Sequence, residues 1–131
     1  MPQTVGMSTP ALTPEMETFL TERHLATLTT LRADGSPHVV AVGFSYADGV
    51  ARVITFPTSV KARNAARGGR AAVSQVDGRR WLTLEGPVRL VSDAPGVERA
   101  VAGYAARYQP PGERADRVAI EIAVDRVLGR A

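Results

Sequence analysis

Pro37-His-Val-Val-Ala-Val-Gly-Phe-Ser-Tyr-Ala47, Asp48-Gly49 and Val50-Ala-Arg-Val-Ile-Thr-Phe56 read as two strands and the turn that joins them. Asp-Gly between two β-branched runs is a strong hairpin signal, because both turn positions call for positive φ. Antiparallel pairing is therefore set at the centre of the chain. Upstream, Leu25 to Arg32 has the β-branched content of a strand, and Ala33-Asp34-Gly35-Ser36 turns it into the strand that opens at Pro37. Downstream, Arg70–Val76 and Arg79–Val91 flank Asp77-Gly78, a second hairpin turn, and Gly86-Pro87 predicts a bulge or bend in the longer strand. Val118 to Leu128 closes as a sixth strand. It alternates Val118, Ile120, Ile122 and Val124 against Ala119, Glu121, Ala123 and Asp125, which predicts one buried face and one wet face.

Three helices fit around these strands. Thr13-Pro14-Glu15 supplies a capping hydroxyl, a first-turn proline and an acid at the positive end of the dipole, with the helix ending near Arg23 or His24. Ser92 or Asp93 caps a helix from Ala94 to about Tyr108, with Val97, Val101, Tyr104, Ala105 and Tyr108 along one side. Gln109-Pro110-Pro111-Gly112 breaks it. A short helix lies between Pro57 and Gly68. Strands joined mainly by hairpins, without a strand–helix rhythm, predict a mainly β fold: a six-stranded antiparallel barrel with peripheral helices, its edges covered by a second copy of the chain. Residues 1–12, rich in Pro, Thr and Ser, read as a loose arm, and 13–131 as one domain. Met7 is an alternative initiator, which would make residues 1–6 an upstream extension.

With 131 residues, 44% hydrophobic and 22% charged, the chain is long and apolar enough to bury a single core. No apolar run approaches membrane-spanning length and no signal sequence is recognisable, so a cytoplasmic protein is expected. The absence of cysteine excludes disulfides, thiol nucleophiles and thiolate metal sites. Net charge is +3, and of sixteen cationic residues Lys61 alone is a lysine. That charge and only seven aromatic residues argue against a nucleic-acid surface.

Lys61 lies in the stretch that carries the most chemistry, Arg52 to Arg70. Its strand is stopped by Pro57, Thr58 or Ser59 can cap the helix that follows, and Gly68 or Gly69 can end it. Lys61, Arg63 and Arg67 beside the helix start make an anion cradle suited to phosphate. The same pattern also fits an ordinary strand-to-strand connection whose basic residues are merely solvated. Elsewhere there is no G-x-S-x-G elbow, Walker loop or G-x-G-x-x-G run, and His24 and His38 are the only imidazoles. Two histidines fourteen residues apart, with no cysteine, make a poor zinc site, and both read more readily as structural. Trp81 reads as core, interface or ring-stacking. With no catalytic constellation, the chain is either a binding module or a protein that positions a reactive cofactor.

The run His24–Phe44 resembles the opening hairpin of the pyridoxamine-phosphate-oxidase-like split-barrel flavoproteins, and Thr55–Asn64 resembles their phosphate-binding strand–helix turn. Glu22–Leu25, Pro37–Gly43, Ala51–Thr55, Ser74–Gly78, Arg80–Leu82 with Leu84–Gly86, and Arg126–Gly129 are similar to the deazaflavin (coenzyme F420)-dependent biliverdin reductases of that family. The resemblance implies a split β-barrel working as a homodimer, with a cofactor groove at each end of the interface. It implies hydride transfer from reduced F420 to a conjugated acceptor such as a tetrapyrrole, most directly biliverdin to bilirubin. By the same resemblance, Ser59, Lys61 and Asn64, with Val60 in the turn, would hold the cofactor phosphate. The backbone of His38, Val39, Val40, Ala41 and Val42, with Thr55 and Phe56, would flank the ring. Gln75 and Trp81 would complete the groove from the partner subunit, and Arg63, Arg67 or Arg80 would meet the oligoglutamate tail or a tetrapyrrole's propionates. Val60 stands where many relatives carry a basic residue. An FMN-dependent oxidase and a non-catalytic flavin or haem carrier are the alternatives on the same fold.

Overall fold

The computed structural model describes residues 10–131. Residues 1–9 of the expected arm, Met7 included, lie outside the described residues, and Leu12 packs against the core. The elements are α1 (Pro14–Thr21), β1 (Ala26–Leu31), β2 (Pro37–Val42), β3 (Ser45–Ala47), β4 (Val50–Thr55), α2 (Val60–Ala66), β5 (Arg70–Asp77), β6 (Arg80–Val91), α3 (Ala94–Arg107), β7 (Val118–Ala123) and β8 (Arg126–Arg130). Every ladder is antiparallel, and neighbours run β2-β1-β5-β6-β7-β4-β3, with β8 also on β6. No helix among the described residues is long and apolar enough to cross a membrane.

The six expected strands are six continuous segments, two of which break, so eight strands are seen. The first break is at Gly43-Phe44. There the chain leaves β1 as β2 and joins β4 as β3, so the ring of strands closes through covalent chain and not through a ladder. The backbone of Phe44 is claimed from outside the sheet: the Tyr108 hydroxyl takes its N–H at 3.1 Å, and the Arg107 Nη1 donates to its carbonyl at 2.7 Å. The second break lies between β7 and β8. β6 pairs Val88 with Ile122 and then Glu85 with Arg126, so three residues (123–125) oppose two (86–87). That is a one-residue bulge, sitting on the strand opposite Gly86-Pro87. Gly86 is required there because a Cβ would fall 1.8 Å from the Ala123 carbonyl oxygen.

The barrel is filled by Leu28, Val73, Leu82, Leu84, Ile120 and Ile122, and α1 lays Phe19 and Leu20 against it. α1 stops at Thr21, short of the expected end, because Glu22 turns extended (ψ 151°). Asp48 and Gly49 take the expected positive φ, 53° and 80°. The sixth segment departs from its predicted alternation: β7 is buried on both faces from Val118 to Ile122. α3 covers Ala119 through Ala100, and Glu121 is enclosed by Arg52 at 3.1 Å and Arg89 at 2.8 Å on the flanking strands. α3 itself buries Gly96, Ala100 and Arg107, while the predicted side around Val97, Val101 and Tyr108 is only half-buried. Small residues win the contact because they let the helix approach: a Cβ on Gly103 would stand 2.4 Å from the Ser45 hydroxyl.

Candidate functional site

The strand-to-helix turn after β4 is held by one hydroxyl. Ser59 caps α2 by accepting the Ala62 N–H at 3.1 Å, and it bonds the Phe56 carbonyl at 3.0 Å and the Thr55 hydroxyl at 2.9 Å. Its carbonyl accepts from Arg63 N–H at 3.1 Å. The amides of Val60 and Lys61, in the first turn, receive no bond among the described residues, as helix starts dictate.

Beside this turn lies a cavity of about 450 Å³, within the range of small-molecule and cofactor sites. Its floor is Ala41, Val42, Gly43, Val53 and Ile54; Thr55, Phe56 and Lys61 form one wall. The rest of the lining comes from Tyr104 of α3 and from the connection to β7, which contributes Pro110, Pro111, Arg114 and Arg117. The Arg114 guanidinium lies 4.1 Å from the centroid of the Phe56 ring and donates its Nε–H to Asp116 at 2.5 Å. That hydrogen bond holds the Asp116 carboxyl below the ordinary aspartate value. Arg117 braces the connection on the Gly112 carbonyl at 2.7 Å. Among the described residues no acidic side chain lines the cavity. A slot that combines aliphatic side chains and an aromatic ring with a lysine and two arginines suits a planar molecule bearing negative groups.

Of the residues expected from sequence, Ala41, Val42, Thr55, Phe56 and Lys61 meet at this cavity. His38, Val39 and Val40 run away from it along β2, which pairs only with β1 among the described residues. His38 Nδ1 is buried without a hydrogen-bond partner. Val60 is exposed on the helix, and Arg63 is exposed beside it. Ser59 is occupied as the cap.

Asn64 is buried and faces the barrel: its amide donates to the Thr30 hydroxyl at 3.0 Å, and its oxygen accepts from Arg67, which also bonds the Leu31 carbonyl at 3.0 Å. Both residues fasten α2 to β1, away from the cavity. Gln75 is 1% exposed; it donates to the Phe19 carbonyl at 3.1 Å and accepts from Arg107 at 2.6 Å. It is closed inside its own barrel and has no surface to offer a partner's groove. Trp81 stands half-open on the outer sheet face, and Arg80 is paired with Asp77 at 2.8 Å and Glu22 at 3.1 Å. Arg114, Arg117 and Tyr104 were not expected. The signal available for them was a pair of arginines directly after a Pro-Pro-Gly breaker.

Burial pulls the Arg107 guanidinium below its usual value, although Tyr108 and Glu22 favour its charge. Glu121 shows the opposite balance. Burial pushes its carboxyl up, but hydrogen bonds from Arg89 and Arg52 outweigh that and hold it below the ordinary value.

A two-sheet barrel that breaks at its corners and carries a cationic slot beside a strand-to-helix turn has the architecture of a small split-barrel cofactor binder. The family model for pyridoxamine 5'-phosphate oxidase matches residues 12–131, and the chain belongs to that family. A protein of Mycobacterium tuberculosis (strain CDC 1551 / Oshkosh) named F420H(2)-dependent biliverdin reductase is 53% identical over 126 residues, covering 95% of this chain and 92% of that one. Among solved structures, an F420 reductase superposes with a TM-score of 0.70 at 29% identity, covering 86% of this chain and 94% of that one. A conserved hypothetical protein from Mycobacterium tuberculosis shares the fold, with a TM-score of 0.78 at 24% identity over 94% of this chain and 87% of the other.

Proposed function

We propose that this chain is an F420-dependent reductase of a conjugated acceptor, with biliverdin, reduced to bilirubin, as the substrate. The observation that carries the reading is the position of Lys61: it lines a slot with Phe56 and two arginines, in which no acidic side chain stands among the described residues. The activity named for the mycobacterial relative supports the choice of cofactor and acceptor. The residues present fit the group. Lys61 and the Val60 and Lys61 amides would meet its phosphate, and Ala41, Val42, Thr55 and Phe56 would flank its ring. Ser59 and Asn64 act through position, the first by setting the helix start and the second by anchoring α2.

When bound in reduced form, the deazaflavin supplies a hydride, and the acceptor takes up that hydride and one proton. Among the described residues no carboxylic acid or imidazole lines the slot; Tyr104 and Lys61 are the lining groups with the most readily transferable protons, and solvent is the other source. Val42, Val53 and Ile54 would keep water from the part of the ring that lies on them.

A second copy completes the unit in this reading. The outer face of β2, β1, β5, β6 and β8 carries Val39, Thr27, Thr29, Ser74, Thr83 and Leu128 in cross-strand rows. Beside them, Leu25 is 73% exposed, Val76 is 69% exposed, and Trp81, paired with Val76, is 38% exposed. An exposed sheet face on which Leu25, Val39, Val76, Trp81 and Leu128 stand uncovered among hydroxyl side chains fits an interface. It reaches Ala41, which is also on the cavity floor, so a partner lying here borders the slot.

Mixing the purified protein with reduced F420 and biliverdin tests the reading. The F420 absorbance band should reappear as bilirubin forms. If it does not, the reading fails. A yellow protein as isolated, releasing FMN on denaturation, would favour the FMN-dependent alternative.

A further inference from the structure

We propose that Arg114 and Arg117, on the connection between α3 and β7, form a carboxylate-recognising wall of the slot. The inference rests on the reading above and deepens it. Three cations line the cavity, and with Lys61 assigned to the phosphate, two guanidinium groups remain, both on the connection to β7. Planar forks with several N–H donors match carboxylates in geometry as well as charge.

Arg114 already shows that match with Asp116, through Nε and Nη2. Arg117 commits only Nη2, to Gly112, and keeps its other donors for a ligand. The stacking of Arg114 on Phe56 ties this connection to the strand-to-helix turn, so the Arg114 guanidinium is held against the residue that precedes the turn carrying Lys61. The other arginines near the turn are less suited. Neither lines the cavity: Arg67 fastens α2 to β1 through Asn64 and the Leu31 carbonyl, and Arg80 pairs with Asp77 and Glu22.

The ligand chemistry is a carboxylate, and two sources carry it: the glutamyl tail of the cofactor and the propionates of a tetrapyrrole acceptor. The test is equilibrium titration, followed by deazaflavin fluorescence and Trp81 quenching, of wild type and the Arg114→Gln/Arg117→Gln double variant. One arm compares F420 with the deazaflavin truncated before its glutamates, and the other compares biliverdin with its dimethyl ester. The double variant should lose about tenfold or more in affinity for the carboxylate-bearing member of one pair, and less than about twofold for its uncharged counterpart.

Loss in the first arm assigns the wall to the cofactor tail; loss in the second assigns it to the acceptor. Equal affinity of variant and wild type for all four ligands overturns the proposal. So does an equal loss for charged and uncharged members. Arg99→Gln, which removes a charge away from the slot, serves as control. Arg117→Lys, which keeps the charge without the fork, should show an intermediate loss and supplies the answer should the double variant fold poorly. Wild type that binds neither deazaflavin refutes the proposed function itself, and that outcome is read before any variant is compared.

Discussion

Asn64→Ala separates a residue that holds the fold from one that holds a ligand. The Asn64 amide is the partner of the Thr30 hydroxyl at 3.0 Å, and Thr30 is 1% exposed. Truncation leaves that hydroxyl buried and unpaired, which costs about 1–3 kcal/mol. It also releases Arg67, which remains bonded to the Leu31 carbonyl and can turn to water, so little is added. A loss of about 2 kcal/mol is expected, read as a lower urea midpoint at unchanged m-value. For a chain of this size that corresponds to a fall of roughly 6–10 °C in Tm. Thr30→Val should cost a similar amount alone and add much less in the Asn64→Ala background, giving a coupling energy of about 1 kcal/mol. F420 affinity should change less than about fivefold. A variant with an unchanged urea midpoint but tenfold weaker F420 binding would refute the reasoning and return Asn64 to the phosphate.

Two further outcomes follow from the fold. Glu121 has a folded pKa below its unfolded one, so its contribution to stability is complete above the unfolded value and is lost as pH falls through the folded one. Wild type should therefore lose stability on acidification below about pH 4.5, and Glu121→Gln should flatten that limb while lowering the plateau at neutral pH; parallel curves from urea midpoints at each pH would contradict this. Val76→Asp places a charge on the exposed apolar face without entering the core. It should halve the mass measured by light scattering while leaving the far-UV spectrum intact, and an unchanged dimer, or a wild type already monomeric, would count against the proposed interface.

The strands and their turns were readable because period-two alternation and Asp-Gly turns are local. The break at Gly43-Phe44 was not, since its cause is Arg107 and Tyr108, more than sixty residues away in sequence. The buried face of α3 was misjudged for a related reason. Hydrophobic spacing favoured Val97 and Val101, whereas close approach to the sheet favoured Gly96, Ala100 and Gly103. In the site, Thr55, Phe56 and Lys61 follow from the turn's own chemistry, while Arg114 and Arg117 arrive by topology from a connection that shows no periodicity. Gln75 carried a usable signal: it shares the inward parity of Ala71 and Val73 on β5, which marks a buried polar group needing internal partners.

The account stands or falls on whether the slot beside Lys61 takes the deazaflavin. Titrating F420 and FMN in parallel against wild type and Lys61→Ala measures this directly. Wild type should prefer F420, and loss of the lysine should weaken F420 binding by about 1.5–3 kcal/mol, roughly tenfold to 150-fold. Identical F420 affinity in both proteins would contradict the placement of the anion site at this turn.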